Sequence, residues 1–285
     1  MNLRESVGIA LTALRANKLR SFLTLLGTII GVTSVIAVIS FVEGMNRFVS
    51  DKLINAGANV FVVDREGFVT SQEAYEEALR RPIVTLDDAD ALRQGVAHAS
   101  LVVAQLDARL PAHYRNKSMK GVSVHGRSAG YDLVDDLAID HGRHLAEVDD
   151  QRRQMVCVIG SEVVDELFPG QDPIGKLVRL GDFRFEVVGV TKPKGKVFGQ
   201  SQDRFATIPV RTFQKLMAER GSVGVSIKSV DQSSLPLAQQ EARNIMRGRR
   251  HLGPGKPDNF GLTTSEAYMD LYKNLTGGIF IVTIG

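Results

Sequence analysis

The sequence contains no tryptophan and a single cysteine, Cys157, in 285 residues. One cysteine excludes an internal disulfide. It sits inside the apolar run Gln154 to Ile159, which reads as a buried strand, so burial outweighs reactivity. Aromatic residues make up only 6%, too few to mark membrane edges with an aromatic belt. Charge of one sign is scarcely in excess: 35 Lys and Arg stand against 32 Asp and Glu, a net +3. An excess that small and that evenly spread excludes the electrostatic footprint of a nucleic-acid binder.

Signatures of chemistry are missing too. There is no Gly-x-Ser-x-Gly and no HxxxH. Gly170 to Leu177 comes within one residue of a phosphate loop. Leu177 stands where Mg²⁺ would need a hydroxyl, and a strand follows where the loop needs a helix. Asp140-His141-Gly142-Arg143-His144, with Asp135, Asp136, Asp149 and Asp150 nearby, lacks the spacing that converges three or four zinc ligands. It reads as a solvated loop. The arginines from Arg243 to Arg250 read as a solvated helix end. No catalytic, cofactor-binding or metal-binding residue is therefore assigned.

What is present is one long apolar run. Phe22 to Val42 has 21 residues without charge, Pro, Asn or Gln. As a helix it is about 31 Å long, the thickness of a hydrocarbon core. Its 13 Leu, Ile, Val and Phe residues favour insertion by roughly 6 kcal/mol on a translocon scale. Arg4, Arg15, Lys18 and Arg20 precede it against one acid, Glu5, whereas Glu43, Arg47, Asp51 and Lys52 balance after it. The positive side faces the cytoplasm, so Arg15, Lys18 and Arg20 set the orientation. The run is too long for a signal-peptide core and ends in large residues, which predicts an uncleaved anchor.

Residues 1–21 read as a cytoplasmic amphipathic helix lying in the membrane interface, with Leu3, Val7, Leu11 and Leu14 on its apolar face. Within the span, Gly27 and Gly31 form a GxxxG with Thr24 and Thr28 beside them, a face on which another helix could pack closely.

Residues 43–273 read as an extracytoplasmic α+β domain. Strands are expected at 59–64, 101–110, 117–124, 154–159, 204–209, 223–228 and 260–263, and helices from Thr85 to Gln94, after Gly160-Ser161, at 210–220 and at 235–247. Leu177 to Leu180 and Phe183 to Val190 flank Gly181-Asp182, a hairpin signal. Residues 274–285 turn apolar again and read as the truncated start of a second transmembrane helix. The fold class is thus an α+β extracytoplasmic domain flanked by one complete and one truncated transmembrane helix.

Ala13 to Val32 resembles the opening of the FtsX-like and MacB-like (macrolide exporter type) permeases of ABC transporters. The resemblance continues in order through Gly121-Val122-Ser123, Gly142-Arg143, Val156 to Gly160 with Leu167-Phe168, Asp172 to Lys176, Phe185 to Val190, Arg249 to His251 and Asp258 to Phe260. It implies a non-catalytic, multi-pass subunit of the bacterial inner membrane with its N-terminus cytoplasmic and its main domain periplasmic or extracellular. It implies an ATPase subunit on a separate chain, a second permease copy as homo- or heterodimer, and a possible periplasmic adaptor. It also implies transmission of ATP-driven motion to the outer domain for export, lipoprotein release or control of cell-wall hydrolases. A membrane-anchored enzyme or sensor remains the alternative from the residues alone.

Overall fold

A computed structural model describes residues 16–55, 59–69, 71–135, 137–197, 199–217 and 221–264. The expected interfacial helix, with Leu3, Val7, Leu11 and Leu14, the orientation charge Arg15, and the expected second span at 274–285 lie outside the described residues.

Helix α1 (Lys18–Asn55) is one uninterrupted element of 38 residues. Its stretch Lys18–Phe41 is long and apolar enough to cross a membrane, and none of it is buried. The Thr24 and Thr28 hydroxyls donate to the Arg20 and Thr24 carbonyls. Each thus meets its hydrogen-bonding need within the helix, which an apolar surrounding requires.

Leu53–Tyr268 forms a separate compact unit. In chain order it contains β1 (Val60–Asp64), α2 (Gln72–Ala78), α3 (Leu86–Gly95), β2 (Ala99–Tyr114), β3 (Lys117–Arg127), α4 (Asp132–Asp135), β4 (Ile139–Gly142) and α5 (Glu147–Gln151). Then follow β5 (Val156–Ile159), α6 (Ser161–Leu167), β6 (Leu177–Leu180), β7 (Phe183–Thr191), β8 (Lys196–Val197), β9 (Gln200–Ser201), β10 (Phe205–Pro209), α7 (Val210–Met217), β11 (Gly224–Ser229), α8 (Leu235–Arg249) and β12 (Gly261–Thr264).

The pairings resolve into two halves sharing β2. In the first, the sheet order β12-β1-β11-β2, with α3 after β1 and α8 after β11, is a β-α-β-β-α-β arrangement of ferredoxin type. Everything from β3 to α7 is inserted between its second and third strands. In the second half the ladder closes on itself: β2 pairs with β3, β3 with β10, β10 with β5, β5 with β7, β7 with β6, and β6 again with β2. Two of these pairings, β3 with β10 and β5 with β7, are parallel. A ring of pairings leaves those strands without a free edge.

Strand β2 joins the halves because it is long. Its start pairs with β11 and its end with β3 and β6. The strand expected to stop at Leu110 continues to Tyr114. Pro111 has no N–H to give a ladder, and the register shifts there, between Leu110 and Ala112. A bulge is where a strand tolerates proline, and past it β6 becomes the neighbour of β2.

Alternation sorts side chains between two clusters. Cys157 and Ile159 of β5, with Phe185 and Val187 of β7, join the main core, while Val156 and Val158 turn to a smaller cluster with Val103, Tyr131 and Leu145. That is the period of two expected of a strand buried on both faces. Burial pushes the Cys157 thiol up, as a core residue requires. Helix α8 buries Leu235, Ala238, Ala242 and Met246, one stripe at helical spacing. At Gly126 a Cβ would stand 2.6 Å from the Phe213 Cβ, so the absence of a side chain lets α7 lie close on β3.

Gly181, at φ +58°, turns the β6–β7 hairpin, as Gly181-Asp182 predicted. The near phosphate-loop at Gly170–Leu177 is a turn running into β6, with Asp172 Oδ1 accepting from the Ile174 N–H.

Candidate functional site

On α1, Thr24, Gly27, Thr28 and Gly31 fall within two turns on one side of the helix. No atom lies within 4 Å of a Cβ placed at Gly27 or Gly31, so the described residues bring nothing against that face. Lys18 and Arg20 are exposed at the start of the helix.

In the compact unit, the two places where the chain enters and leaves lie side by side. Strand β1 opens at Val60 and β12 closes at Thr264, and Phe61 pairs with Thr264 in an antiparallel ladder. The entry is fastened. The Asn59 side-chain amide donates to the Ser229 carbonyl at 2.7 Å, and the Ser229 N–H donates back to the Asn59 carbonyl at 2.9 Å. Strand β1 is central in its half, between β11 and β12. A force applied at Asn59 therefore passes into two ladders.

Charged contacts then tie helix to helix. Asp88 forms a capping box with Thr85 at the start of α3. Its carboxylate also accepts from Arg249 Nε at 2.6 Å and pairs with Arg250 at 3.4 Å. Burial alone would raise the Asp88 carboxyl. The Arg249 hydrogen bond, the Thr85 N–H and the two guanidinium charges outweigh burial and hold it below the usual range. Arg243 and Arg247 both pair with Asp258, at 3.0 and 2.6 Å. The arginines expected as a solvated helix end are thus braces. Their acids lie on α3 and on the following loop, which the helix's own pattern does not display.

A second tie links the two halves. Arg211, at the start of α7, donates to Asp90 of α3 at 2.6 Å, and its backbone N–H donates to Asp150 of α5 at 2.8 Å. The hydrogen bond that it donates to Asp90 is the main reason that the Arg211 guanidinium is held above its ordinary value. Burial raises the Asp150 carboxyl, and the contacts from Arg211 offset part of that. Asp149 is buried as well, bonded by both guanidinium nitrogens of Arg143 at 2.6 and 3.1 Å and by the Ala146 N–H. The reading of Asp149 and Asp150 as loop residues in solvent is therefore corrected. They cap and anchor α5, a helix of 5 residues too short to show a period in sequence. Among the described residues no three His, Cys, Asp or Glu side chains converge as a metal would need.

Arg211→Met should loosen the junction by about 1–3 kcal/mol, because it removes the guanidinium 3.6 Å from the buried Asp150 carboxylate, which keeps the backbone N–H, while the lost contact with Asp90 is partly solvated. Urea unfolding is expected to show a lower midpoint at pH 7. A loss under about 0.5 kcal/mol, the scale of an exposed pair, would mean that Arg211 does not couple the halves.

The comparisons with known proteins agree with this architecture. Residues 21–245 match the family described as MacB-like periplasmic core domain. A macrolide export ATP-binding/permease protein MacB from Bdellovibrio bacteriovorus is 31% identical over 242 residues, covering 85% of this chain and 37% of that protein. The protein of the same name from Azoarcus sp. is 30% identical over 250 residues, covering 87% of this chain and 37% of its own length. The chain thus spans little more than a third of these relatives. In fold, it is similar to the crystal structure of the periplasmic region of MacB from Actinobacillus actinomycetemcomitans, with a TM-score of 0.64 at 18% identity over 79% of this chain and 98% of that one. It is also similar to the extracellular domain of the ABC-type transporter YknZ from Gram-positive bacteria, with a TM-score of 0.57 at 21% identity over 72% of this chain and 99% of that one. The chain belongs to the MacB-like periplasmic core domain family of ABC transporter permeases.

Proposed function

We propose that the chain is the part of a permease subunit that carries ATP-driven motion of a separate ATPase subunit to an extracytoplasmic domain. The observation that carries this is the adjacency of β1 and β12. A unit whose two connections leave from neighbouring strands can be held at one end by two membrane segments and moved as a body. Helix α1 is the first of those segments, crossing the membrane with Lys18 and Arg20 on the cytoplasmic side. The N-terminal amphipathic helix lies in the interface, and a second helix follows the domain in a multi-pass protein of the bacterial inner membrane. The Gly27/Gly31 face packs against a second permease copy or another helix of the same subunit. In this role the chain itself is not an enzyme. A periplasmic adaptor is a further partner, and the export that names its relatives is the activity that the assembly would serve.

The fold offers a clean test. Cys157 is the one cysteine in the sequence and is fully buried, so a spin label at Asn116→Cys, in the β2–β3 turn, reports without background. In membranes holding the chain with its ATPase subunit, the distance between labels on two copies should change on adding ATP with vanadate. An unchanged distance in a complex that binds ATP would sink the transmission role. Turnover of a small molecule by the chain without any ATPase would favour an anchored enzyme instead.

A further inference from the structure

The end of the compact unit remote from its chain connections carries charge of one sign that the rest of the fold does not use. Arg179 on β6 stands directly opposite Arg184 on β7, and on its other side β6 places Arg179 next to His113 of β2. Arg184, Arg179 and His113 therefore form a row across three adjacent strands, on one face of the sheet. Arg115, in the β2–β3 turn, completes the group, with its guanidinium carbon 5.3 Å from the centre of the Tyr114 ring. Together with Leu177 these residues line an open cleft of about 290 Å³.

Three facts separate this row from an ordinary solvated surface. First, residues directly opposite on antiparallel strands hold their Cβ atoms about 4.5–5.5 Å apart, and like charges there oppose pairing. The hairpin keeps two arginines at that position. Second, among the described residues neither arginine of the pair, nor Arg115 or His113, has an ion-pair partner. The nearest acids by position are Asp182, in the turn, and Glu186, opposite Leu177. Most of the unit's other described arginines pair with an acid, as Arg143, Arg204, Arg211, Arg243, Arg247 and Arg249 do, and those that do not, Arg65, Arg80, Arg81, Arg109, Arg152 and Arg153, do not line this cleft. Third, Leu101 of β2 lies abreast of Val60 through Lys228, and from there β2 rises about 40 Å to Tyr114. The row is therefore at the far end of the unit from where the chain enters and leaves.

We infer that His113, Arg115, Arg179 and Arg184 form a binding site for the oxyanion groups, carboxylate or phosphate, of a soluble ligand. Guanidinium forks suit both groups, donating two parallel N–H bonds to each. The cleft is open rather than enclosed, which suits a group protruding from a larger ligand. With the connections of the unit held at a membrane, the distance favours a soluble ligand over a lipid headgroup. The placement on the sheet does not depend on the transmission role, so failure of either can be seen without the other.

The test uses the full chain in uncharged detergent, titrated calorimetrically at low salt with pyrophosphate and with hexaglutamate. At least one probe should bind, more weakly as salt rises. Arg179→Gln with Arg184→Gln should weaken that binding by roughly tenfold or more, the scale of charge-assisted hydrogen bonds lost. The same double variant should melt no lower than the parent without anion, because a like-charge pair is relieved. Arg80→Gln, an exposed change at the end of α2, should alter neither. Binding of neither probe overturns the site, as does a double variant that binds within about twofold of the parent while remaining folded. Binding only to nanodiscs containing phosphatidylglycerol overturns the soluble ligand in favour of a lipid.

Discussion

Asp88→Ala should lower the stability of the compact unit by about 3 kcal/mol at pH 7. Three losses combine. The first is the capping box: the Thr85 side chain still accepts from the backbone of α3, but the returning bond from the Thr85 N–H is gone, a change worth about 1 kcal/mol. The second is the hydrogen bond from Arg249 Nε, at 2.6 Å. The third is the charge partner of Arg250, whose side chain is only 10% exposed. Breaking a buried pair by removing one partner costs about 3–5 kcal/mol. Arg249 is more exposed, so its share is discounted for solvent screening. On a unit of this size each kcal/mol moves the midpoint by about 2–4 °C, which gives a fall of about 6–12 °C.

The pH dependence follows from the sign of the shift. The folded Asp88 carboxyl is held below its ordinary value by Arg249, the Thr85 N–H and Arg250, against burial. A carboxylate lowered on folding adds stability above its unfolded pKa, about 3.9. That contribution fades as pH falls through the lower folded value. The gap between parent and Asp88→Ala is therefore expected to be constant from about pH 5 to 8 and to narrow below about pH 4. Thermal melts across that range measure it. A gap that stays full at low pH, or one under about 1 kcal/mol at pH 7, would show that the capping bond and not the charge does most of the work.

This brace also marks where sequence reading stops. Features set by neighbouring residues were legible. The uncharged run from Phe22 to Val42 gave α1, Thr85 with Asp88 gave the start of α3, and Gly181-Asp182 gave the β6–β7 hairpin. Each signal lies within a few residues of what it determines. The partner of Arg249 is 161 residues away, and that of Arg211 on α3 is 121 away. An arginine-rich helix end looks the same in sequence whether water or a remote carboxylate meets it. The ring of strands was hidden for a related reason. The pairing of β6 with β2 rests on two register positions, Ala112 with Leu180 and His113 with Arg179, past a proline that reads as the end of a strand. The arginine pair of the row did have a local trace. Arg179 and Arg184 stand symmetrically about the Gly181-Asp182 turn, so a two-residue hairpin places them opposite each other. Recognising the hairpin was enough to find that pair, whereas His113 required the fold.

Gly27→Leu with Gly31→Leu separates insertion from assembly. Both changes add apolar surface to a helix whose stretch Lys18–Phe41 has no buried residue, and leucine is the better helix former by almost 1 kcal/mol at each site. Nothing within 4 Å obstructs either Cβ. Within the described chain the double variant should therefore insert and fold at least as well as the parent. Whatever it loses must be lost to another helix. A packing face built on Gly27 and Gly31 needs the two backbones to approach closely, and two leucines hold them apart. Self-association in detergent, or association with the remaining helices of the permease, is expected to weaken by roughly tenfold, about 1.4 kcal/mol. The compact unit should meanwhile melt unchanged. Ile30→Lys with Val35→Lys gives the opposite pattern, because two charges in mid-span oppose insertion by about 6 kcal/mol, as much as the apolar residues of the run favour it, and should remove the chain from the membrane fraction. If Gly27→Leu with Gly31→Leu associates as the parent does while Ile30→Lys with Val35→Lys fails to insert, the helix is an anchor in lipid, and the contact face of the permease lies elsewhere.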